Sequence, residues 1–349
     1  MKKINVLVTG AGSGVGQSIV KALNISKLKL NIFLADINYL NAGLFRFKKS
    51  IIVPKVEKKG ALKWYLSNLK KLKIDVLFVG SEYDLPFFSR HSEFIWKKTN
   101  CRVCTSNKQI ISMANDKYLT QNFLKKNNLP FLKTFLPKSL SGAIRLSKKL
   151  TFPFILKGRK GTSSRNVHLV KNLDSLKKLY KTVKNPIIQE HIGSKKNDIS
   201  TEYTCSFFKT KEDRILGPFI IRRKILHGTS WIAEVKYNYK ISKLIKKIAE
   251  LINCIGSFNV QLRLTKKGPV PFEFNPRFSG TTSIRSYFDF NEPEMYIKNY
   301  LLNQKITNKQ IKIKKNGVCF RYIEEIFLDN TNLKLLSKNM GKGKIIKWF

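Results

Sequence analysis

The sequence predicts an open parallel α/β sheet followed by a larger α+β unit, and three observations carry this. Between residues 4 and 105, apolar runs (INVLVT at 4–9, NIFLAD at 31–36, IDVLFVG at 74–80, and 102–105) alternate with helical stretches, the βαβ alternation of a parallel sheet. The first run leads into Gly10-Ala-Gly12-Ser-Gly14-Val-Gly16, a glycine-rich turn at the head of a helix. From about residue 108 the alternation ends, and the segment 258–280, FNVQLRLTKKGPVPFEFNPRFSG, reads as a strand hairpin with its polar residues on one face.

The chain has 349 residues, enough for two or three units at roughly 100–200 residues each. Its 67 Lys+Arg against 22 Asp+Glu give a formal net charge of +45. Such a charge raises nucleic acid as a partner. The lysines, however, are spread along the whole chain with no arginine-rich block, which argues against nucleic acid and for solvated faces. No run of about 18 apolar residues exists to span a membrane. The start, MKKINVLVTG, is too short and too polar for a signal peptide. A cytoplasmic protein is expected. Five cysteines form no disulfide framework, and Cys101-Arg-Val-Cys104 lacks the second pair that zinc would need.

The elements follow in order. The glycine turn opens a helix to about Leu23, and Asp36 ends the second strand, about 20 positions on. That pattern also suits a dinucleotide site, so a nicotinamide oxidoreductase is the alternative reading of this half. Tyr180/Lys184 and Tyr239/Lys243 have the spacing of its Tyr-x-x-x-Lys dyad. Asn115-Asp116-Lys117 opens a helix ended by Asn128-Leu-Pro130, and a strand at 132–136 and a helix at 140–149 follow. Residues 151–170 read as a strand ending in Lys157, a small-residue loop from Gly158 to Asn166, and a returning strand. In that loop Gly158, Gly161, Thr162, Ser163 and Ser164 can bring backbone amides close to phosphate oxygens, while Lys157 and Arg159 add positive charge. Strands at 187–192, 200–208 and 214–226 and a helix near 240–253 precede the hairpin. A helix near 292–303, strands near 309–327 and a basic tail follow it.

Within the hairpin, strand periodicity turns Asn259, Gln261 and Arg263 one way, with Glu273 and Asn275 on the same face; Val270, Phe272 and Phe274 turn away. A three-residue loop, Lys266-Lys267-Gly268, would pair Thr265 with Pro269, Gln261 with Glu273 and Asn259 with Asn275. One carboxylate, several amide oxygens and an arginine then converge, a donor set that suits Mg²⁺.

Taken in order, the Asn-Asp-Lys helix, the lysine with its small-residue loop, Gln189-Glu190, the acidic strand with Glu202, Asn-Val-Gln261 and Glu273-Phe-Asn275-Pro-Arg277 resemble the ATP-grasp superfamily, over about residues 4–305. Within it the chain looks like proteins similar to the carbamoyl-phosphate synthase large subunit. The resemblance implies a Rossmann-like pre-ATP-grasp domain (1–107), a two-lobed ATP-grasp domain (108–305, lid lobe about 130–190) and a carboxy-terminal piece of strands and basic tail (306–349). It implies ATP and Mg²⁺ or Mn²⁺ as cofactors. ATP would be held by Lys117, Lys157, Gly158, Arg159, Gly161, Ser163, Gln189, Glu190, His191, Ile192, Glu202 and Gln261. The metal would be held by Gln261, Glu273 and Asn275. Arg277 would face the transferred phosphate. Arg222, Arg223, Arg277 and Arg285 are candidates for gripping carboxylates. The expected reaction is activation of a small-molecule carboxylate as an acylphosphate for attack by an amine, with a small-molecule kinase as the alternative. A homodimer is left open.

Overall fold

In a computed structural model, residues 3–46, 49–161, 167–193, 202–314 and 316–327 are described, with the backbone of 344–345. The first sheet comprises β1 (Ile4–Val8), β2 (Leu30–Asp36), β3 (Ser50–Ile52), β4 (Val76–Phe78) and β5 (Arg102–Cys104). All its pairings are parallel, in the order β3-β2-β1-β4-β5. Helices α1 (Gly14–Asn24), α2 (Ala61–Lys71) and α3 (Leu85–Thr99) connect the strands. Ser13 caps α1 by accepting from Gly16 N at 2.9 Å. Gly16 has to lack a side chain, because a Cβ there would lie 2.1 Å from the Gly10 carbonyl oxygen. That close approach lets α1 lie against the sheet.

Helix α4 (Lys108–Ala114) leads to α5 (Lys117–Lys126). Asp116 caps α5, accepting from the Tyr118 and Leu119 amides, as the Asn-Asp-Lys motif predicts. A small lobe follows: β6 (Thr134–Phe135), α6 (Leu140–Ser147), β7 (Phe154–Gly158), β8 (Val167–Val170), α7 (Leu173–Tyr180) and β9 (Pro186–Gln189). Its sheet runs β6-β9-β7-β8, all antiparallel. It has its own core, with Phe154, Leu156, Val170, Leu176 and Ile188 fully buried.

The largest sheet is antiparallel. It contains β10 (Glu202–Lys209), β11 (Ile215–Leu226), β12 (Thr229–Lys236), β13 (Gly256–Thr265), β14 (Gly268–Asn275) and β15 (Asn316–Phe320), in the order β14-β13-β10-β11-β12-β15. Helix α8 (Tyr239–Leu251) buries Ile241, Leu244, Ile245 and Ile248 on one face, and that stripe packs on Phe207, Phe258 and Val260. The other face of the sheet joins the first sheet: Val6, Val8 and Phe78 share a core with Phe208, Phe219, Phe278 and Tyr296. The first sheet and the central sheet are therefore held by one continuous apolar contact.

The β13–β14 hairpin departs from its expected turn. Thr265 pairs with Gly268 across a two-residue loop, not with Pro269. Thr265 Oγ1 accepts from Lys267 N and donates to the Gly268 carbonyl, and Gly268 takes the left-handed φ of +117°. The register then shifts between Gln261 and Leu262, so that Gln261 still faces Glu273 and Asn259 still faces Asn275. The extra residue is Phe272, an unpaired bulge. Pro269 and Pro271 are tolerated because β14 is the edge of the sheet. The helix expected near 292–303 is a short α-turn, Glu292–Tyr296, continued by a wider turn over Ile297–Leu301. No helix among the described residues is long and apolar enough to cross a membrane.

Arg285 is expected to grip a substrate. It is instead fully buried, at 0% exposure. Its Nε and Nη2 pair with Glu292, and its remaining donors go to Ser279, Thr281 and Thr282. Glu292 also accepts from Ser206 and Ser257. This network fixes the segment after the hairpin to β10 and β13 and leaves Arg285 no donor for a ligand. Glu292→Ala leaves that guanidinium buried and uncompensated. The expected loss, read from urea unfolding, is about 3–5 kcal/mol.

Candidate active site

Two adjoining cavities of about 250 and 370 Å³ open against the central sheet. Ile225, Gln261 and Glu273 line both, so these residues form the wall between them. The smaller cavity lies between the small lobe and the hairpin. The larger lies between the hairpin and two loops of the first sheet, Ser13–Val15 and Gly80–Tyr83.

Lys117 and Lys157 enter the smaller cavity from the start of α5 and the end of β7. Lys157 is only 8% exposed. Burial, with the Lys117 charge beside it, lowers its pKa to about 8, against the opposing pull of Glu273. Burial lowers Lys117 too, while Glu273, Glu82 and Asp116 oppose this. The Lys117 ammonium donates to the Gly161 carbonyl at 2.6 Å. Gly158 and Gly161 line the cavity with Lys160, which the sequence reading overlooked. Ser163 lies outside the described residues. Arg159 turns away: its Nε donates to the Asp116 carboxylate at 2.7 Å and its guanidinium faces the Tyr118 ring. It fastens the loop to the cap of α5 and reaches neither cavity.

Opposite the lysines, Gln189 to Ile192 form the strand-to-loop edge. The Gln189 side chain is buried and donates to Thr134 Oγ1, so backbone alone is offered here. Glu190 pairs with Lys133 through its own amide and again through its carboxylate. Among the described residues the Glu190 carbonyl and the Ile192 amide have no partner. Such an acceptor and donor, two residues apart, suit the edge of a purine. Leu132, Ile155, Val167 and Phe272 add apolar wall. Phe272 is expected to turn away with Phe274, but the bulge brings it and Glu273 both to the cavity while Phe274 stays in the core. Burial and the neighbouring Arg263 charge lower the His191 pKa. Glu202 accepts from both Arg223 and Arg263 at 3.0 Å, which places it in an ionic frame at the cavity wall.

Glu273 is the hub of the dividing wall. One carboxylate oxygen, Oε1, accepts from Gln261 and Asn275; among the described residues the other has no protein partner. The Asn275 side-chain oxygen accepts from Arg277, and the Gln261 oxygen accepts from Arg223. These oxygens are the hard donors that a divalent cation carried by a triphosphate could take. Arg277 reaches across to Glu82, on the loop after β4, at 2.9 Å. Of the paired arginines on β11, Arg223 enters the site; Arg222 instead pairs with Glu234 across the strands. Glu82 had no motif to mark it, since it comes from the opposite end of the chain.

The first glycine turn is partly covered by the chain itself. The Asp36 carboxylate accepts from the Gly12 and Asn38 amides. The segment Asn41–Arg46 lies on the turn, so closely that a Cβ on Gly43 would fall 2.0 Å from the Ala11 carbonyl oxygen. Neither tyrosine of the Tyr-x-x-x-Lys spacings lines either of these two cavities. Cys101 and Cys104 are buried free thiols, and burial raises both pKa values. Among the described residues no cluster of three or more His, Cys, Asp or Glu exists to hold a metal.

Two lobes that meet at one carboxylate define the class. Residues 114–202 match the RimK-like ATP-grasp domain, and residues 200–326 match a family described as ATP-grasp in the biosynthetic pathway with Ter operon. The chain belongs to the ATP-grasp superfamily. Similar solved structures agree in fold. N5-carboxyaminoimidazole synthetase from Staphylococcus aureus, complexed with ADP, has 17% identity and TM-score 0.69, over 88% of this chain and 80% of that one. Biotin carboxylase from Campylobacter jejuni, in a β,γ-ATP complex, has 14% identity and TM-score 0.71, over 91% and 75%. The biotin carboxylase domain of Hydrogenobacter thermophilus 2-oxoglutarate carboxylase, with MgADP, ADP and bicarbonate, has 11% identity and TM-score 0.69, over 90% and 73%. No curated protein matches the sequence.

The buried lysines make ligand-free stability depend on pH. Below pH about 8 both folded and unfolded chains carry the Lys157 proton, and burying the charge costs about 3 kcal/mol. Between about 8 and the ordinary lysine value near 10.4 the unfolded chain binds the proton and the folded one does not, so stability rises with pH. Denaturant midpoints across that window should rise, and the Lys157→Met variant should show a smaller rise.

Proposed function

We propose that this chain is an ATP- and magnesium-dependent ligase that activates a carboxylate as an acylphosphate and passes the acyl group to an amine or similar nucleophile. The observation that carries the reading is the placement of Glu273. It divides a cavity with the buried Lys157 and half-buried Lys117 ammonium groups and an apolar wall from a second cavity with Arg277 and Glu82. The smaller cavity takes the nucleotide: backbone of Glu190 and Ile192 along the adenine edge, Phe272 and Ile155 against its ring, Glu202 toward the ribose, Lys117 and Lys157 on the phosphates. Gly158 and Gly161 bring the loop over them. The likeness to structures solved with ADP, β,γ-ATP and MgADP supports this use.

Glu273, with the Gln261 and Asn275 oxygens, would hold a divalent cation, which would supply neutralisation of the phosphate charge. The acceptor carboxylate oxygen attacks the γ-phosphorus. The bond from that phosphorus to the β–γ bridging oxygen breaks, and its electron pair leaves with ADP. An amine lone pair then attacks the acyl carbon; phosphate departs with the C–O electron pair, and the amine proton goes to solvent or phosphate. Arg277 faces the transferred group and stabilises charge as it spreads over the equatorial oxygens. Glu82 orients Arg277 from the first sheet. The units performing these tasks are 1–107, 108–305 and 306–349.

An ADP-release screen over small carboxylates, with and without amines, tests the reading. Release that requires both co-substrates supports the ligase. Release on the acceptor alone, with a stable phosphorylated product, indicates a kinase. Glu273→Ala should lower the rate by at least about a hundredfold, the scale of losing one electrostatic stabiliser. Nucleotide affinity should also fall above pH about 8, as Lys157 loses its proton before a polyanion can hold it. Titration of Mg·AMP-PNP between pH 7 and 9.5 reads this. Lys157→Arg, charged throughout that range, should flatten the profile; a wild-type profile already flat would count against the phosphate role.

A further inference from the structure

Arg321, just past β15, lies on the wall of the larger cavity. Its Nη2 donates to the Gly280 carbonyl, and burial lowers its pKa. Among the described residues it has no carboxylate partner. The other arginines of this wall are matched, Arg277 by Glu82 and Arg223 by Glu202. The two carboxylates that reach the cavity are also engaged, Glu82 with Arg277 and Glu273 with Gln261 and Asn275. Among the described arginines that line this cavity, Arg321 alone lacks a carboxylate partner.

The start of α1 meets the same point. Ser18 Oγ also donates to the Gly280 carbonyl, at 3.2 Å, and a Cβ built on Gly280 would lie 3.9 Å from the Gly14 carbonyl oxygen. Gly14 and Val15 line the cavity, and among the described residues their amides have no partner. Arg223 is 9% exposed, lines this cavity, and keeps a buried Nε with no partner. The remaining wall is hydroxyl-rich, with Ser13, Ser81, Thr229 and Thr281. In the smaller cavity aliphatic and aromatic side chains serve instead. A desolvated guanidinium beside free helix-start amides is poorly satisfied until an anion arrives.

We propose that the larger cavity takes an acceptor with two acid groups on a short polar frame. One is phosphorylated beside Glu273 and Arg277; the second, a carboxylate or a phosphate, is held by Arg321 and the Gly14 and Val15 amides. Arg321 thereby sets acceptor specificity. This rests on the ligase reading for the first group.

The test is calorimetric titration of the full chain, saturated with Mg·AMP-PNP, with matched acids. Succinate is compared with butyrate for a second carboxylate, and 3-phosphoglycerate with glycerate for a phosphate. At least one dianion should bind about tenfold or more tightly than its monoanionic match, the scale of one charge-assisted contact. The pair that shows the difference identifies the second group. Arg321→Met should abolish the difference, and Arg321→Lys, which keeps charge without the planar fork, should keep part of it; melting curves establish that both variants fold. Equal affinity for dianion and monoanion, undiminished discrimination in Arg321→Met, or no binding by any of the four acids overturns the proposal. A separate Mg·AMP-PNP titration of the wild type reports on the nucleotide reading, so the two failures are distinguishable.

Discussion

Two ammonium groups held in one poorly hydrated pocket set the terms for the rest of this structure. Burial lowers the pKa of both Lys117 and Lys157, the Lys117 charge lowers Lys157 further, and Glu273 is the principal charge that opposes this for both. An unliganded arrangement of this kind is a strained electrostatic state, tolerated because the surrounding elements over-determine it. Asp116 caps α5 and ties down Arg159, which fixes Lys117. Lys157 is held by strand pairing on both sides of β7.

Around that pocket the chain separates positioning from contact. The Arg285–Glu292 pair touches no cavity, yet it anchors the segment that carries Arg277 and Gly280. Glu82 reaches Arg277 from a loop of the first sheet, so the larger cavity exists only while the two sheets share their core of Val8, Phe78, Phe208 and Phe278. The glycine turn that would cradle a dinucleotide is partly covered by the chain's own Asn41–Arg46, and the start of α1 faces the second cavity instead. A turn suited to anions has kept its geometry while the crevice beside it has been partly filled.

The bulge at Phe272 shows how local and global constraints meet. A two-residue turn with glycine in the left-handed region closes the hairpin one residue early. Without correction, every side chain beyond it would change faces. One unpaired residue restores Gln261 opposite Glu273 and adds an aromatic wall beside the carboxylate.

Much of this was legible in the residues. The βαβ spacing, the cap at Asp116, the apolar stripe of α8 and the opposition of Gln261 with Glu273 and Asn259 with Asn275 follow from local chemistry and short-range periodicity. The gathering of Lys117, Lys157, Gly158, Gly161, Gln189–Ile192, Glu202, Gln261 and Glu273 around one cavity was implied by the resemblance of their chain order to the ATP-grasp superfamily, not by periodicity. What the residues could not decide is partner choice. Arg285, Arg159 and Arg222 look like their neighbours Arg277 and Arg223, but their carboxylates, Glu292, Asp116 and Glu234, hold them away from both cavities, and only packing determines which. Glu82, Arg321 and the amides of Gly14 and Val15 belong to the site because distant segments are brought together across a shared core. Period and capping act over a few residues and can be read from a string; desolvation and ion pairing depend on what arrives from elsewhere, and that is fixed only in three dimensions.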